Sequence, residues 1–228
     1  MVSRETAVPE PPEPPALPDW LQPAGGSLSQ YGDLLVGPGI ERGLLGPREA
    51  PRIWDRHILN CAVVADPAVG LIGGGARVAD IGSGAGLPGI VWAIARPDIS
   101  VVLIESLLRR VTFLTECVHE LDLMDRVQVV RARAEEAGER MGAAGGGLDV
   151  VTARAVAPLG TVAKWSAPLI RAGGLLVALK GESAQEEVDR DCEELRASGL
   201  IDPRVLMVGQ GVVEPPTTVV TATRTAAQ

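Results

Sequence analysis

Between Arg77 and Lys180, short β-branched and apolar runs alternate with longer stretches of helical spacing, and that alternation leaves few architectures open. The runs are Arg77–Ile81, Val101–Glu105, Val127–Arg131, Asp149–Ala153 and Leu175–Lys180. Helical patterns cover Pro88–Arg96, with proline in the first turn, then Leu108–Leu121, Leu159–Ile170 and Ala184–Ala197. Strands separated by helices predict parallel pairing through right-handed crossovers, with helices on both faces of one sheet. The last two runs, Val205–Val208 and Thr217–Thr223, have no helix between them and read as an antiparallel hairpin. The expected fold is α/β: a doubly wound, Rossmann-like sheet ending in that hairpin, with a small helical cap before it.

The cap and the segment before it are read from residues 1–75. Residues 1–27 hold Pro9, Pro11, Pro12, Pro14, Pro15 and Pro18 among acidic residues, which predicts a disordered or extended tail. Residues 28–75 form the cap. A first helix runs from Ser29, with Leu28, Tyr31, Leu34 and Leu35 as its apolar positions, and Pro38-Gly39 and Gly46-Pro47 punctuate the chain beyond it. A second helix runs from Arg48 to Ala65 with Trp54, Ile58, Cys61 and Ala65 on one face. Residues 76–228 are then the main domain, a division that suits a chain of 228 residues.

Several classes are excluded early. No apolar run reaches the length that spans a bilayer, and the N-terminus enters a Pro/Glu stretch instead of a secretory h-region. Cys61, Cys117 and Cys192 are far apart and lack metal-ligand spacing, which points to reduced thiols and a cytoplasmic protein. The net charge of −8 argues at first against nucleic acid. Its distribution weakens the argument. Residues 1–20 carry −3 and residues 182–194 carry −6, so the remainder sums to +1. A nucleic-acid face is permitted by that balance without being indicated by it. The acidic run at 182–194 reads as an exposed helix face turned away from any such partner.

The chemistry concentrates after the first strand, in Asp80-Ile81-Gly82-Ser83-Gly84-Ala85-Gly86-Leu87-Pro88-Gly89. Glycines there let the backbone turn tightly and approach a ligand with no Cβ in the way. The second strand ends in Glu105, placed to accept hydrogen bonds from a ribose diol. Together they indicate a nucleoside-containing cofactor. Gly84-x-Gly86-x-x-Gly89 matches the dinucleotide fingerprint, so a hydride-transfer enzyme or a non-catalytic dinucleotide-binding regulator must be weighed. Against both, Asp80 precedes the glycines, and a carboxylate there would repel a pyrophosphate. It suits the amino group and sulfonium of S-adenosylmethionine. A methyltransferase acting on a small molecule or a protein remains open at this point.

Further blocks carry a resemblance. They are Gly43-Leu44-Leu45-Gly46-Pro47-Arg48-Glu49, Trp54-Asp55-Arg56-His57-Ile58-Leu59-Asn60, the Asp80–Gly89 turn, Leu107-Leu108-Arg109-Arg110, Arg133-Ala134-Glu135-Glu136, Thr152-Ala153-Arg154-Ala155 and Leu179-Lys180-Gly181. Over about residues 31–220 the chain resembles the glucose-inhibited division protein B family, the bacterial 16S rRNA guanine-N7 methyltransferases. The resemblance implies that Gly82, Gly84 and Leu87 shape the cofactor pocket, that Ala134-Glu135 meets the adenine and that Arg154 closes the pocket. It also implies methylation of one guanine in the decoding-region loop of 16S rRNA, presented as RNA, as a 30S particle or as an assembly intermediate. A monomer is expected, with no membrane partner and no metal.

Guanine N7 carries a free lone pair at neutral pH, so orientation can supply the catalysis and no acid or base is assigned. Arg154 and Lys180 are the candidates for gripping phosphate or the guanine O6; a snorkelling surface position is the competing reading of Lys180. His57, beside Asp55, reads as a capping or packing residue. Arg109 and Arg110 either contact RNA phosphates or form a solvated helix face, and Arg133 is expected to pair with Glu105 or Glu136. Trp54 and Trp165 read as core. The segment Val213-Glu214-Pro215-Pro216-Thr217 lacks an arginine that many members of the resembled family have before the last strand.

Overall fold

The computed structural model describes residues 12–141 and 147–225. Seven strands form one sheet: β1 (Arg77–Ile81), β2 (Ser100–Glu105), β3 (Val127–Arg131), β4 (Leu148–Arg154), β5 (Ile170–Lys180), β6 (Leu200–Val208) and β7 (Thr217–Arg224). The helices are α1 (Gly25–Leu34), α2 (Asn60–Ala62), α3 (Gly89–Ala95), α4 (Leu108–Glu120), α5 (Ala134–Met141), α6 (Leu159–Ser166), α7 (Ala184–Arg190) and α8 (Cys192–Ala197). Strand order is β3-β2-β1-β4-β5-β7-β6. The first five strands pair in parallel, and β7 runs antiparallel to both β5 and β6. The expected doubly wound sheet with its antiparallel ending is therefore present.

Alternation along the strands builds two cores. Val78, Val101, Leu103, Val150, Val177 and Val219 face α3, α4 and the N-terminal helices. Ala79, Ile81, Ile104, Val151, Ala153, Leu176 and Val220 face α6 and its neighbours. The same alternation sends Asp80, Glu105 and Arg154 to the side of the N-terminal helices, because each lies an even number of residues from a member of the first set.

β2 and β4 start one residue before their apolar runs, and β5 and β6 start five residues before theirs. β5 begins at Ile170, where the expected helical pattern ends, and passes through Gly173-Gly174. A Cβ on Gly174 would lie 2.8 Å from the Asp149 carbonyl, so the glycine is what allows β4 and β5 to approach there. β6 begins at Leu200 and includes Asp202-Pro203; as an edge strand it tolerates the missing N–H, and its register shifts between Ile201 and Arg204.

The N-terminal region departs from expectation in two ways. The expected tail over 1–27 lies outside the described residues only for 1–11. From Asp19 to Ala24 the chain forms a 3₁₀ helix, α1 already begins at Gly25, and Leu21 is fully buried in the first core. Trp54 Nε1 also donates to the Pro12 carbonyl at 3.2 Å. Proline density over the whole segment hid the few apolar anchors, Leu17, Trp20 and Leu21, that hold its second half against the first core, beside α1 and α3. Second, Pro38-Gly39 does not end the first helix. The helix continues through Leu35–Gly39 in a widened π turn, which relieves the clash of the proline ring with the preceding turn. The helix from Arg48 is present as a succession of 3₁₀ (Pro47–Arg52), π (Ile53–Leu59), α2 and 3₁₀ (Val63–Ala65) turns, with Trp54, Ile58, Cys61 and Ala65 buried as expected. Among the described residues no helix is long and apolar enough to cross a membrane.

Candidate active site

The glycine turn leaves β1 at its carboxyl end. Gly82 and Ser83 donate to the Ile104 carbonyl at 2.8 and 3.2 Å, which ties the turn to the end of β2. Gly82 has φ +67°, and a Cβ there would collide with Val156 beyond β4. Tyr31 on α1 closes the turn from above: its hydroxyl donates to the Ala85 carbonyl at 2.7 Å. The cap thus holds the turn directly.

Asp80 lies beneath the turn. It is fully buried, and its Oδ2 accepts the Gly89 N–H at 3.0 Å while Oδ1 has no partner among the described residues. Burial pushes its carboxyl up to about 7, opposed by the Gly89 hydrogen bond. A carboxylate so placed anchors the first turn of α3 instead of opening onto a ligand.

A cavity of about 550 Å³ opens beside the turn at the ends of β1, β2 and β4. Gly82, Glu105, Ala134 and Glu135 line it, so the sequence-derived set is brought together in part. Gly84 does not line it but donates its N–H to Glu105 Oε2 at 3.1 Å. Leu87 packs against the first core, and Asp80 and Arg154 are also outside the lining. Glu105 is 3% exposed, with Oε1 accepting the N–H groups of Ser106 and Leu107 at 2.8 and 2.9 Å. Oε2 also faces Arg110 at 3.4 Å. The pairing expected between Arg133 and Glu105 is therefore taken by Arg110, in the first turn of α4; Arg133 lines the cavity and is exposed. Trp165, expected in the core, also lines this cavity while packing on the second core. Its apolar spacing on α6 gave no sign that α6 reaches the cavity rim.

A second cavity, about 590 Å³, adjoins the first and shares Ala155 and Val156 with it. Arg56, Asn60, Arg154, Lys180 and Glu187 supply its polar lining. Arg154 is held by the cap: it donates to Cys61 Sγ at 3.0 Å and to the Arg56 carbonyl at 2.9 Å, and its Nη2 lies 3.2 Å from His57 Nδ1. A guanidinium only donates, so Nδ1 carries the lone pair and Nε2 carries the proton that His57 gives to Glu49 at 2.7 Å. His57 is thus more than packing, and its partner is Glu49 instead of Asp55. Burial lowers its pKa, with Arg154 adding to the effect and the Glu49 hydrogen bond opposing it. Burial also raises the Cys61 thiol, against the pull of Arg154.

Lys180 does not snorkel. Its side chain is 10% exposed, and Nζ donates to Glu187 at 2.8 Å and to the Ala157 carbonyl at 3.1 Å. The acidic run at 182–194, expected as an exposed face, is solvated only in part. Glu187 and Asp191 turn inward and accept the Leu159 and Gly160 N–H groups at 3.1 and 2.8 Å, satisfying the amino end of α6. Glu182, Glu186, Asp189 and Glu193 do stay exposed. The i, i+4 spacing of Glu187 and Asp191 was the available signal, hidden by acids on every other side of the helix. Among the described residues, no cluster of His, Cys, Asp and Glu could hold a metal ion.

The geometry is that of a cavity with a buried carboxylate, joined to a more cationic cavity through a two-residue wall. A family model for rRNA small subunit methyltransferase G matches residues 25–214. A Ribosomal RNA small subunit methyltransferase G from Mycolicibacterium gilvum is 51% identical over 210 residues, 92% of this chain and 89% of that protein. Its namesake from Salinispora tropica is 56% identical over 199 residues, 85% of this chain and 79% of that protein. The fold is shared with the S-adenosylmethionine-dependent methyltransferase SibL in its apo form, with a TM-score of 0.60, 17% identity, and 91% of this chain and 70% of that chain covered. The chain belongs to the rRNA small subunit methyltransferase G family.

Proposed function

We propose that this protein transfers the methyl group of S-adenosylmethionine to N7 of a guanine in the decoding-region loop of 16S rRNA, as naked RNA or within a 30S particle or its precursor. The observation that carries the reading is the pair of cavities meeting at Ala155 and Val156. Glu105 fits a ribose diol: Oε2 is held by a backbone N–H and a long Arg110 contact, so an incoming hydroxyl pair meets an oriented carboxylate. Ala134 and Glu135, at the start of α5, form the far side, where an adenine would lie. Gly82 leaves the turn bare where a bulky cofactor tail must pass. When bound, S-adenosylmethionine supplies an electrophilic methyl on a sulfonium.

The second cavity is where the acceptor base would be held. Arg154 and Lys180 place positive charge there for phosphate or O6. N7 attacks with its own lone pair, so no proton has to leave. His57 fits that absence of base chemistry, since both ring nitrogens are already engaged. Catalysis then rests on orientation of one base against one bond.

Calorimetry with S-adenosylmethionine tests the cofactor, and primer extension after cleavage at N7-methylguanine tests the product. Binding of the methyl donor and modification of unmodified small-subunit RNA or particles are expected. Glu105→Gln should weaken donor binding on the order of 10- to 100-fold, the cost of a hydrogen bond to a charged group. Tight NADH binding with none for S-adenosylmethionine would sink the reading, as would small acceptors methylated while rRNA is ignored.

A further inference from the structure

Lys180 and Glu187 stand side by side in the second cavity, each with one hydrogen-bonding function left over. The Lys180 ammonium has three protons and uses two, on Glu187 Oε2 and the Ala157 carbonyl. Glu187 Oε2 takes Lys180 and the Leu159 N–H; Oε1 takes no hydrogen bond among the described residues. The pair is held from both sides and mostly shielded, with side-chain exposures of 10% and 16%. What it offers the cavity is a donor next to an acceptor at nearly fixed spacing.

A purine edge with the complementary order is guanine's. Reading outward from N7, guanine presents O6, an acceptor, and then N1–H, a donor; adenine presents the reverse order. The order of the protein groups is set by the sheet. β5 is hydrogen-bonded to β4, with Leu179 opposite Arg154, so Lys180 lies near the wall shared with the first cavity. Glu187 is on α7, which packs over β6 and β7, one strand further out. A base entering with N7 toward the first cavity meets the cation first and the carboxylate second.

We infer that Lys180 and Glu187 are the guanine-reading pair: Lys180 Nζ donates to O6, and Glu187 Oε1 accepts N1–H. This rests on the proposed guanine-N7 activity and adds how the base is chosen. Adenine would set its amino group against the ammonium and its N1 lone pair against the carboxylate, leaving buried polar groups unmatched. Glu187 carries the discrimination, because a carboxylate cannot donate to a bare N1.

The test is a substrate–enzyme cycle on synthetic loop RNA assembled into small-subunit particles, with the target base either guanine or 2-aminopurine. The analogue keeps N7 and the 2-amino group but lacks O6 and the N1 proton. Wild-type kcat/KM should fall on the order of 100-fold on the analogue. In Glu187→Gln the guanine substrate should lose one contact's share, about 10-fold, while the analogue loses little, so the ratio contracts from about 100 to about 10. Lys180→Met, which keeps the aliphatic stem, should contract it in the same way. Calorimetric affinity for S-adenosylmethionine should be unchanged in both variants. Equal losses on both substrates, in either variant with unchanged cofactor affinity, would overturn the inference and mark the pair as purely structural. Wild-type protein that modifies neither substrate would instead overturn the guanine-N7 activity itself.

Discussion

Asp80 and Gly89 meet under the glycine turn, and at that distance burial outweighs the single hydrogen bond the carboxylate receives. Its carboxyl rises from the ordinary 3.8 to about 7. The folded chain therefore holds a proton that the unfolded chain releases above about pH 4, so the penalty for Asp80 grows between those two values and stays at its full size above them. A gap of that width corresponds to about 4 kcal/mol as an upper scale. Asp80→Asn keeps an oxygen for the Gly89 N–H and removes the titration. Urea denaturation at pH 4 and pH 8 should show the variant gaining on the wild type by up to that amount at the higher pH. A pH-independent difference would contradict the assignment. Glycine spacing and an acid ahead of it were legible in the sequence; that the acid points beneath the turn was not, because strand parity alone does not say which face bears the ligand.

At the scale of elements, α6 begins with no capping side chain of its own, after Pro158. Its free N–H groups at Leu159 and Gly160 are met from another part of the chain, by Glu187 and Asp191. Asp191 also breaks the long helix expected over 184–197 into α7 and α8, since its backbone leaves helical geometry where the carboxylate turns inward. Asp191→Ala should lower stability by about 1 kcal/mol, the usual value of an amino-terminal cap. The urea midpoint should fall with the slope unchanged, because the surface exposed on unfolding is the same. Strand and helix existence followed from periodicity, whereas partners brought in from a distant part of the chain left no periodic trace.

Over the whole molecule, cap and sheet share one core: Leu21, Leu28, Tyr31 and Ile58 sit in the same cluster as Val78, Val101 and Leu103. The cap also holds the site from two directions, through Tyr31 on the turn and through His57 and Cys61 on Arg154. Leu21→Ala should cost about 2–5 kcal/mol, the range for a buried leucine truncated to alanine. Guanidinium or urea melts would read it; an effect below about 0.5 kcal/mol would show the segment to be a dispensable tail.

The alternation of runs from Arg77 to Lys180 determined the parallel sheet and its crossovers, and the two helix-free runs at 205–208 and 217–223 the hairpin, because side-chain period and connection length are local properties that a chain carries without folding. The turn at Asp80–Gly89 and Glu105 at the end of β2 were determined in the same way, since one strand-to-helix unit contains the first and a second strand ends in the other. Only the tertiary structure decided which of these groups open onto a cavity. It put Asp80 under the turn, gave Glu105 to Arg110, tied Arg154 to the cap and turned Glu187 from an acidic run onto Lys180. Each of those choices depends on what lies across a sheet or beneath a helix, and the neighbours concerned are far apart along the chain.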